Sequence, residues 1–320
     1  MIIVLSDSLF SKTHPEIVIE LAALIANSRH VVIADTSSLA FKQWSGVAGA
    51  FGPRLLQMIA SSARLVTARV VQTIVHVHTL NTEWTGDVPK LSVADARSYI
   101  PIPFKVFVEN NEADRAFLLA YLDKEKRESL IDLQLNHWLI FVHGGGTGDL
   151  QKQIAWEGKN TMRADLRCFA YFDNDGLKIA SPSRKTLEVA AECARNNIRH
   201  HQLNRRAIEN YLPISALELW ASTQSSTRAR YTRRQLTPFK KLSDAERDHF
   251  NMKSGPNGDR FVVPYPALNA YESRQLQKGF GKKVATVYSH DKFREKSSRS
   301  DFQRAAAEVE TLYLKLRSQI

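Results

Sequence analysis

Two cysteines, Cys168 and Cys193, are all the chain has in 320 residues. That is too few for a disulfide framework, so packing must hold the fold. Cys168 lies inside an apolar run and is expected to be a reduced core thiol. No run approaches the ~18 apolar residues of a membrane span, so no membrane contact is expected. The start, MIIVLSDSLF, has no basic n-region and no small-residue cleavage site. No secretory signal is therefore expected, and the cytoplasm is the default compartment. No Cys/His spacing suits zinc. The absence of Gly-x-Ser-x-Gly leaves a serine hydrolase with little support. Gly144-Gly145-Gly146-Thr147-Gly148 is not closed by Gly-Lys-Ser/Thr, so it is not a Walker A loop. There is no internal repeat and no long low-complexity tract.

Hydrophobic content of 43% and charged content of 24% are ordinary for a globular chain. The length suits two domains or three small units. Net charge is +11 and very uneven. Residues 1–103 hold 8 basic and 7 acidic side chains, and residues 104–215 hold 16 and 15. Residues 216–320 hold 20 and 11, a net of +9. A basic last third fits a polyanionic partner, with nucleic acid the commonest and a solvated surface the bland alternative.

Residues 1–100 read as a small α/β unit. Residues 2–6 and 31–35 suit short buried strands. Pro15–Asn27 has helical spacing, with Ile17, Leu21, Leu24 and Ile25 on one side. Residues 54–63 suit a helix and 65–78 extended structure. Asp7 and Asp35 end strands, where helix capping is the simpler role. Pro101-Ile102-Pro103 marks a boundary. Strands are then expected at 104–108, 138–142 and 167–172. Helices are expected at 113–128, from 150 onward, and at 183–196. This alternation predicts a mainly parallel sheet with flanking helices. After Tyr211-Leu212-Pro213 the chain turns mostly helical, at 216–222, 244–250, 271–279 and 300–318, with a loop at 254–258. The expected division is thus 1–100, 104–215 as catalytic core, and a basic 216–320 that completes the core and binds nucleic acid.

Two apolar runs end in acids. Phe104-Lys105-Val106-Phe107-Val108 ends in Glu109, and Leu166-Arg167-Cys168-Phe169-Ala170-Tyr171-Phe172 ends in Asp173-Asn174-Asp175. Ligands of open α/β sheets sit at that carboxyl edge. Carboxylates converging there repel unless a hard cation neutralises them, and oxygen ligands suit Mg²⁺ or Mn²⁺. Alone, Asp-Asn-Asp-Gly is also good turn chemistry. The glycines at 144–148 suit either a phosphate cradle or a tight strand-to-helix turn near that edge. His143 ends a strand there; a single histidine favours a structural role. Arg228, Arg230, Arg233 and Arg234 fall within seven residues around Tyr231, a pattern suited to phosphate and base stacking. Lys278, Lys282, Lys283 and Lys292 add charge later.

The order of these segments resembles the TOPRIM domain of topoisomerases, primases and OLD-type (overcoming lysogenisation defect) nucleases. The resemblance sharpens at Asn204-Arg205-Arg206-Ala207-Ile208-Glu209-Asn210-Tyr211-Leu212, similar to the OLD-like nucleases of prokaryotic anti-phage systems. Gly279-Phe280-Gly281-Lys282-Lys283 resembles the segment that gives them a late basic residue. It covers 104–215 well, 270–288 loosely and 1–100 not at all. It implies a metal-dependent nuclease acting on DNA or RNA. Glu109 would be the metal-linked acid or base, Asp173 and Asp175 the metal ligands, and Lys282 or Lys283 the stabiliser of phosphorane-like charge. Glu209 would be a further ligand or would orient Arg205 or Arg206, which are expected to contact nucleic acid. The family reads Val-Glu-Gly with an Asp four residues after the Glu. Here Asn110 replaces the Gly and the nearest acids are Glu112 and Asp114; a one-residue insertion makes Asp114 the match. No ATPase segment is present, so an ATPase or sensor would be a partner subunit, and a homo-oligomer is compatible with the reading. A primase-like nucleotidyl transferase and a non-catalytic subunit with a degenerate TOPRIM fold are the alternatives.

Overall fold

Two four-stranded, all-parallel sheets follow one another along the chain. The computed structural model describes residues 1–28, 30–66, 74–178, 180–259, 265–293 and 299–320. The first unit runs β1 (Ile2–Leu5), α1 (Asp7–Lys12), α2 (Pro15–Asn27), β2 (Val31–Ala34), α3 (Leu39–Val47), α4 (Phe51–Val66), β3 (Ile74–His78), β4 (Lys90–Ser92) and α5 (Val93–Tyr99). Its strand order is β2-β1-β3-β4. β1 and β2 are unbroken apolar runs because helices cover both faces of a parallel sheet. In α2, Val18, Leu21, Ala22 and Ile25 are buried at helical spacing behind Pro15 at the first turn. The strand-end acids have local work. Asp35 accepts from the N–H (2.9 Å) and hydroxyl (2.6 Å) of Ser37, and Asp7 accepts from the Ser38 hydroxyl at 2.8 Å. The cap itself is Ser38, which accepts from Phe41 N. Extended structure expected over 65–78 is found at Ile74–His78, with α4 still helical at Val66; residues 67–73 lie outside the described residues.

The second unit runs β5 (Phe104–Val108), α6 (Asn111–Tyr121), α7 (Lys124–Leu135), β6 (Leu139–His143), α8 (Thr147–Asn160), β7 (Cys168–Phe172), α9 (Arg184–Arg195) and β8 (Arg199–Gln202). Its order, β6-β5-β7-β8, repeats the first sheet's pattern. The helix expected over 113–128 is two helices: Leu122 is extended, and the Asp123 carboxylate accepts from Lys126 N at 2.9 Å to cap α7. β8 was not expected from its polar sequence, Arg-His-His-Gln.

The last third contributes α10 (Ile214–Thr223), α11 (Ser226–Lys241), α12 (Asp244–His249), α13 (Ala270–Leu276) and α14 (Arg299–Arg317). These helices share one core with a face of the second sheet, running from Phe104 and Val106 through Phe117, Phe239 and Phe280 to Leu316. The opposite face is covered by α8 and α9 through Phe107, Leu150, Ile154, Val189 and Cys193. Each large apolar side chain buried this fully contributes about 1.5–3 kcal/mol. The first unit has its own core. Arg167, only 2% exposed, ties the units together: it donates to Tyr99 O (2.6 Å) and Ile100 O (2.8 Å) at the carboxyl end of α5. A cation is favourable there because the helix dipole is negative at that end. Among the described residues no helix is long and apolar enough to cross a membrane.

Candidate active site

Strand order reverses between β5 and β7, so their carboxyl ends open a crevice rather than meeting a covering loop. Glu109 leaves β5 at this point. Asn110 follows as the N-cap of α6, its Oδ1 accepting from Glu112 N and Ala113 N at 3.1 Å each. Capping turns the chain so that Asp114, one helical turn on, is buried and accepts from Asn110 N at 2.8 Å. Glu112 stays exposed. Asp173 leaves β7, donating its N–H to Glu109 Oε1 (3.3 Å) and accepting from Ile208 N at Oδ1 (3.0 Å). Asp175 is left-handed at φ +53° and its N–H reaches Arg206 O. That turn sends its carboxylate toward Thr147 on the far side of Glu109. The Thr147 hydroxyl lies 3.3 Å from Glu109 Oε2 and 3.4 Å from Asp175 Oδ2. One hydroxyl proton cannot serve both carboxylates at once.

Glu209 arrives on a 3₁₀ turn, Ile208–Tyr211. Each neighbour in Ile-Glu-Asn-Tyr helps hold that turn. Asn210 accepts from Ala207 N (3.1 Å) and donates to Arg247 O (2.7 Å) and Phe250 O (2.8 Å). The Tyr211 hydroxyl donates to Glu308 Oε2 at 2.6 Å, and Tyr288 donates to Ile208 O at 2.6 Å. Glu209 itself is 2% exposed, and its Oε2 has no hydrogen-bond partner. An unpartnered buried carboxylate oxygen is expensive and asks for a cation.

These acids line a cleft of about 670 Å³ with His143, Gly145, Gly146, Lys253, Lys282 and Lys283. Asp175 lines a smaller neighbouring pocket of about 240 Å³; Glu209 and Lys253 border both. Gly145 (φ +76°) and Gly146 (φ +111°) make the turn into α8 that delivers Thr147 to the acids. Burial, then the Asp175 charge, pushes the Glu109 carboxyl up to about 7. Asp114 is also pushed up to about 7, by burial and then by Glu109 and Glu209 against its Asn110 hydrogen bond. Burial and the Glu109 charge hold Asp173 well above the usual aspartate range. Lys253 is the counter-charge, 3.4 Å from Glu209 Oε1 and 3.9 Å from Asp173 Oδ2. Burial works against its ammonium, but Asp173, Glu209, Glu109 and Asp175 outweigh it and hold it above the ordinary lysine value. Five carboxylates against one ammonium form a donor set that fits a hard dication. Among the described residues, however, no three acids, histidines or cysteines stand close enough together to hold an ion as they are.

The fold therefore gathers Glu109, Asp114, Asp173 and Glu209, with Asp175 adjoining, and faces them with Lys282 and Lys283. Arg205 lies outside the cleft lining and Arg206 borders only the pocket of Asp175, and both guanidinium groups, expected to contact nucleic acid, are engaged in pairing within the fold. Arg205 pairs with Asp248 (3.2 Å) and lies over the Tyr211 ring at 4.4 Å. Arg206 pairs with Asp259 and donates to His249 O. The four later arginines are exposed on α11, outside the cleft lining. Arg230, Arg233 and Arg234 share one face and meet no carboxylate among the described residues, while Arg228 turns back to donate to Phe280 O at 3.1 Å. His201 pairs with Glu308, and His200 stacks on Phe172. Lys253 was missed: a lone lysine before Ser254-Gly255-Pro256-Asn257-Gly258 carries no signal beyond that loop. Comparison with protein-family models, with curated proteins and with solved structures finds no match for the chain.

Proposed function

We propose that this cleft is the site of a metal-dependent nuclease that hydrolyses phosphodiester bonds in DNA or RNA. The observation that carries the reading is the gathering of five carboxylates from three separate segments at the β5/β7 crevice, one with an unpartnered buried oxygen, facing Lys282 and Lys283. Asp173, Glu209 and Glu109 would hold Mg²⁺ or Mn²⁺, with Asp175 and Asp114 in support. Bound there, the ion would supply Lewis-acid stabilisation of the charge that builds on phosphate during hydrolysis. Glu109 would accept a proton from attacking water, its carboxylate oriented by the Thr147 hydroxyl. Lys282 and Lys283 meet the negative charge of the scissile phosphate. The exposed arginine face of α11 would hold the strand beyond the cleft.

The segment order and Ile208-Glu209-Asn210-Tyr211-Leu212 support a TOPRIM-like assignment for the β5–β8 unit, and with it the role of an effector in prokaryotic anti-phage defence. An ATPase or sensor subunit would then be supplied by a partner. The test is incubation of the full chain with duplex DNA, single strands and transfer RNA, with and without Mn²⁺. Metal-dependent cleavage is expected from the wild type and not from folded Glu109→Gln or Asp173→Asn proteins. Undiminished cleavage by both variants would sink the mechanism. Primase-like nucleotidyl transfer is the second reading, and one observation favours it: a cleft of about 670 Å³ has room for a nucleotide. Template-dependent incorporation of labelled nucleotides would select it over hydrolysis.

A further inference from the structure

Among the described residues Lys253 is the ammonium paired with the cleft acids, and its support is unusual. Its backbone is clamped. Met252 O, one residue before it, accepts from both Phe280 N (2.7 Å) and Gly281 N (3.3 Å), on the segment that leads into Lys282 and Lys283. Gly255 N bonds to Asn251 O at 2.7 Å. A side chain at Gly255 would collide with the Leu276 and Gln277 carbonyls at 2.4 Å, so the loop is locked against its neighbours. The side chain itself is loosely held. It is 45% exposed and reaches Glu209 and Asp173 only at 3.4 and 3.9 Å, with Glu209 Oε2 left unpartnered. It also forms the wall between the main cleft and the pocket of Asp175. A fixed backbone carrying a half-exposed cation with two long ion pairs suits exchange. The ammonium stands between the two carboxylates that a dication would need, and it cannot neutralise the others.

We propose that Lys253 is an exchangeable counter-cation: it holds Asp173 and Glu209 in the metal-free protein, yields them to a divalent ion, and turns toward Lys282 and Lys283 to bind a phosphate oxygen of the nucleic-acid substrate. The idea rests on the metal-dependent reading above and adds a residue and an order of events to it. It makes metal and lysine competitors for the same oxygens, and metal and substrate cooperative, because each favours the lysine's departure.

The experiment is a Mn²⁺ titration of the full chain followed by electron paramagnetic resonance, with Lys253→Met, Lys253→Arg and Asp173→Asn. Removing the competing charge is expected to tighten Mn²⁺ binding by about tenfold in Lys253→Met. Lys253→Arg, which keeps the charge, is expected to match the wild type, and Asp173→Asn to lose the site. Lys253→Gln repeats the test should the methionine variant fold poorly. In the second arm, a phosphorothioate oligonucleotide is bound with saturating Ca²⁺, and Lys253→Met is expected to bind it about tenfold more weakly. Equal or weaker Mn²⁺ binding by Lys253→Met, with the site still lost in Asp173→Asn, would overturn the exchange and leave the metal site standing. Unchanged oligonucleotide affinity would overturn the phosphate contact. No Mn²⁺ binding by wild type or any variant would overturn the nuclease reading itself.

Discussion

Arg206 separates charge that serves the fold from charge that serves a ligand. It lies in a basic run, Arg205-Arg206, beside a candidate nucleic-acid site, so composition alone assigns it to the substrate. The structure gives it a different partner. Its guanidinium grips Asp259 through both nitrogens, Nη1 at 3.0 Å from Oδ2 and Nη2 on Oδ1, and Nη1 also donates to His249 O at 3.3 Å. The side chains are 14% and 2% exposed. Without the arginine, Asp259 keeps one side-chain donor, Asn251 Nδ2 at 2.9 Å. A buried carboxylate stripped of its cation costs about 3–5 kcal/mol.

Arg206→Met should therefore lower the urea midpoint of the unit built on β5–β8. With a slope of about 2–3 kcal/mol per molar urea, the shift is about 1–2 M. Fluorescence of Trp220, buried in the core of that unit, reports the transition. The double variant Arg206→Met/Asp259→Leu should recover most of the loss, because replacing both members of a buried pair removes the orphaned charge. In the folded protein at low denaturant, nucleic-acid affinity should stay within about twofold of wild type, since a paired, buried arginine offers no phosphate contact. Loss of binding with an unmoved urea midpoint would refute the reasoning and return Arg206 to the substrate.

Two further outcomes follow from the same distinction. Arg230→Ala/Arg233→Ala/Arg234→Ala removes three exposed, unpaired charges from α11, so stability should hold while the salt dependence of nucleic-acid binding loses about three units of slope; an unchanged slope would exclude this face from the interface. Glu308 is the pH-dependent strut of the turn that carries Glu209. Burial alone would raise its pKa, but hydrogen bonds from His201, Tyr211 and Asn204 N outweigh burial and hold it below the ordinary glutamate value of about 4.5. Its contribution is then full above that value and lost as pH falls through the lowered one. The difference in urea midpoint between wild type and Glu308→Gln should be widest above about pH 5 and should close toward pH 3; a gap that widens on acidification would contradict the assigned partners.

Some of this architecture is written locally and some is not. β5 and β7 are legible because strands covered on both faces are apolar almost throughout, Lys105 being ion-paired with Glu157, and the first acid after each run marks where the chain leaves the sheet. The N-cap at Asn110 is legible too: an amide there satisfies two N–H groups that a glycine would leave to water. Asp114 can then be found by counting one helical turn. The break at Asp123 is a cap signal inside a sequence whose composition is otherwise uniformly helical, and such a signal is easily outvoted by its neighbours. β8 defeats periodicity for a different reason. As an edge strand it can carry Arg199, His200, His201 and Gln202, with His200 stacked on Phe172 and His201 satisfied by Glu308 from α14. Its partners are remote in sequence, so no local pattern announces it.

Charge is where distance along the chain misleads most. Arg205 and Arg206 look alike with Arg233 and Arg234, yet the first pair is neutralised by Asp248 and Asp259 and the second pair by nothing among the described residues. The sequence counts all four equally, because a salt bridge between residues some forty or fifty positions apart leaves no trace in composition. Lys253 is the same problem inverted. The acids nearest it in sequence, Asp248 and Asp259, pair with Arg205 and Arg206, and folding sets it instead against Asp173 and Glu209. The basic side chains of residues 205–320 thus include three populations. One is spent on pairing within the core, one stands free on α11, and one, Lys253 with Lys282 and Lys283, faces five carboxylates across a cleft. The last two would be the ones to act on a polyanion under the proposed reading, and they differ in kind. The α11 arginines sit on an open helix face and would act through the strand's backbone charge at any sequence. The cleft lysines are set at the sheet's carboxyl edge, where a phosphate would meet the acids at the same time under the proposed reading. Binding and chemistry are therefore expected to separate by mutation: loss of α11 charge weakens capture with its salt dependence, and loss of Lys282 and Lys283 lowers turnover more than capture.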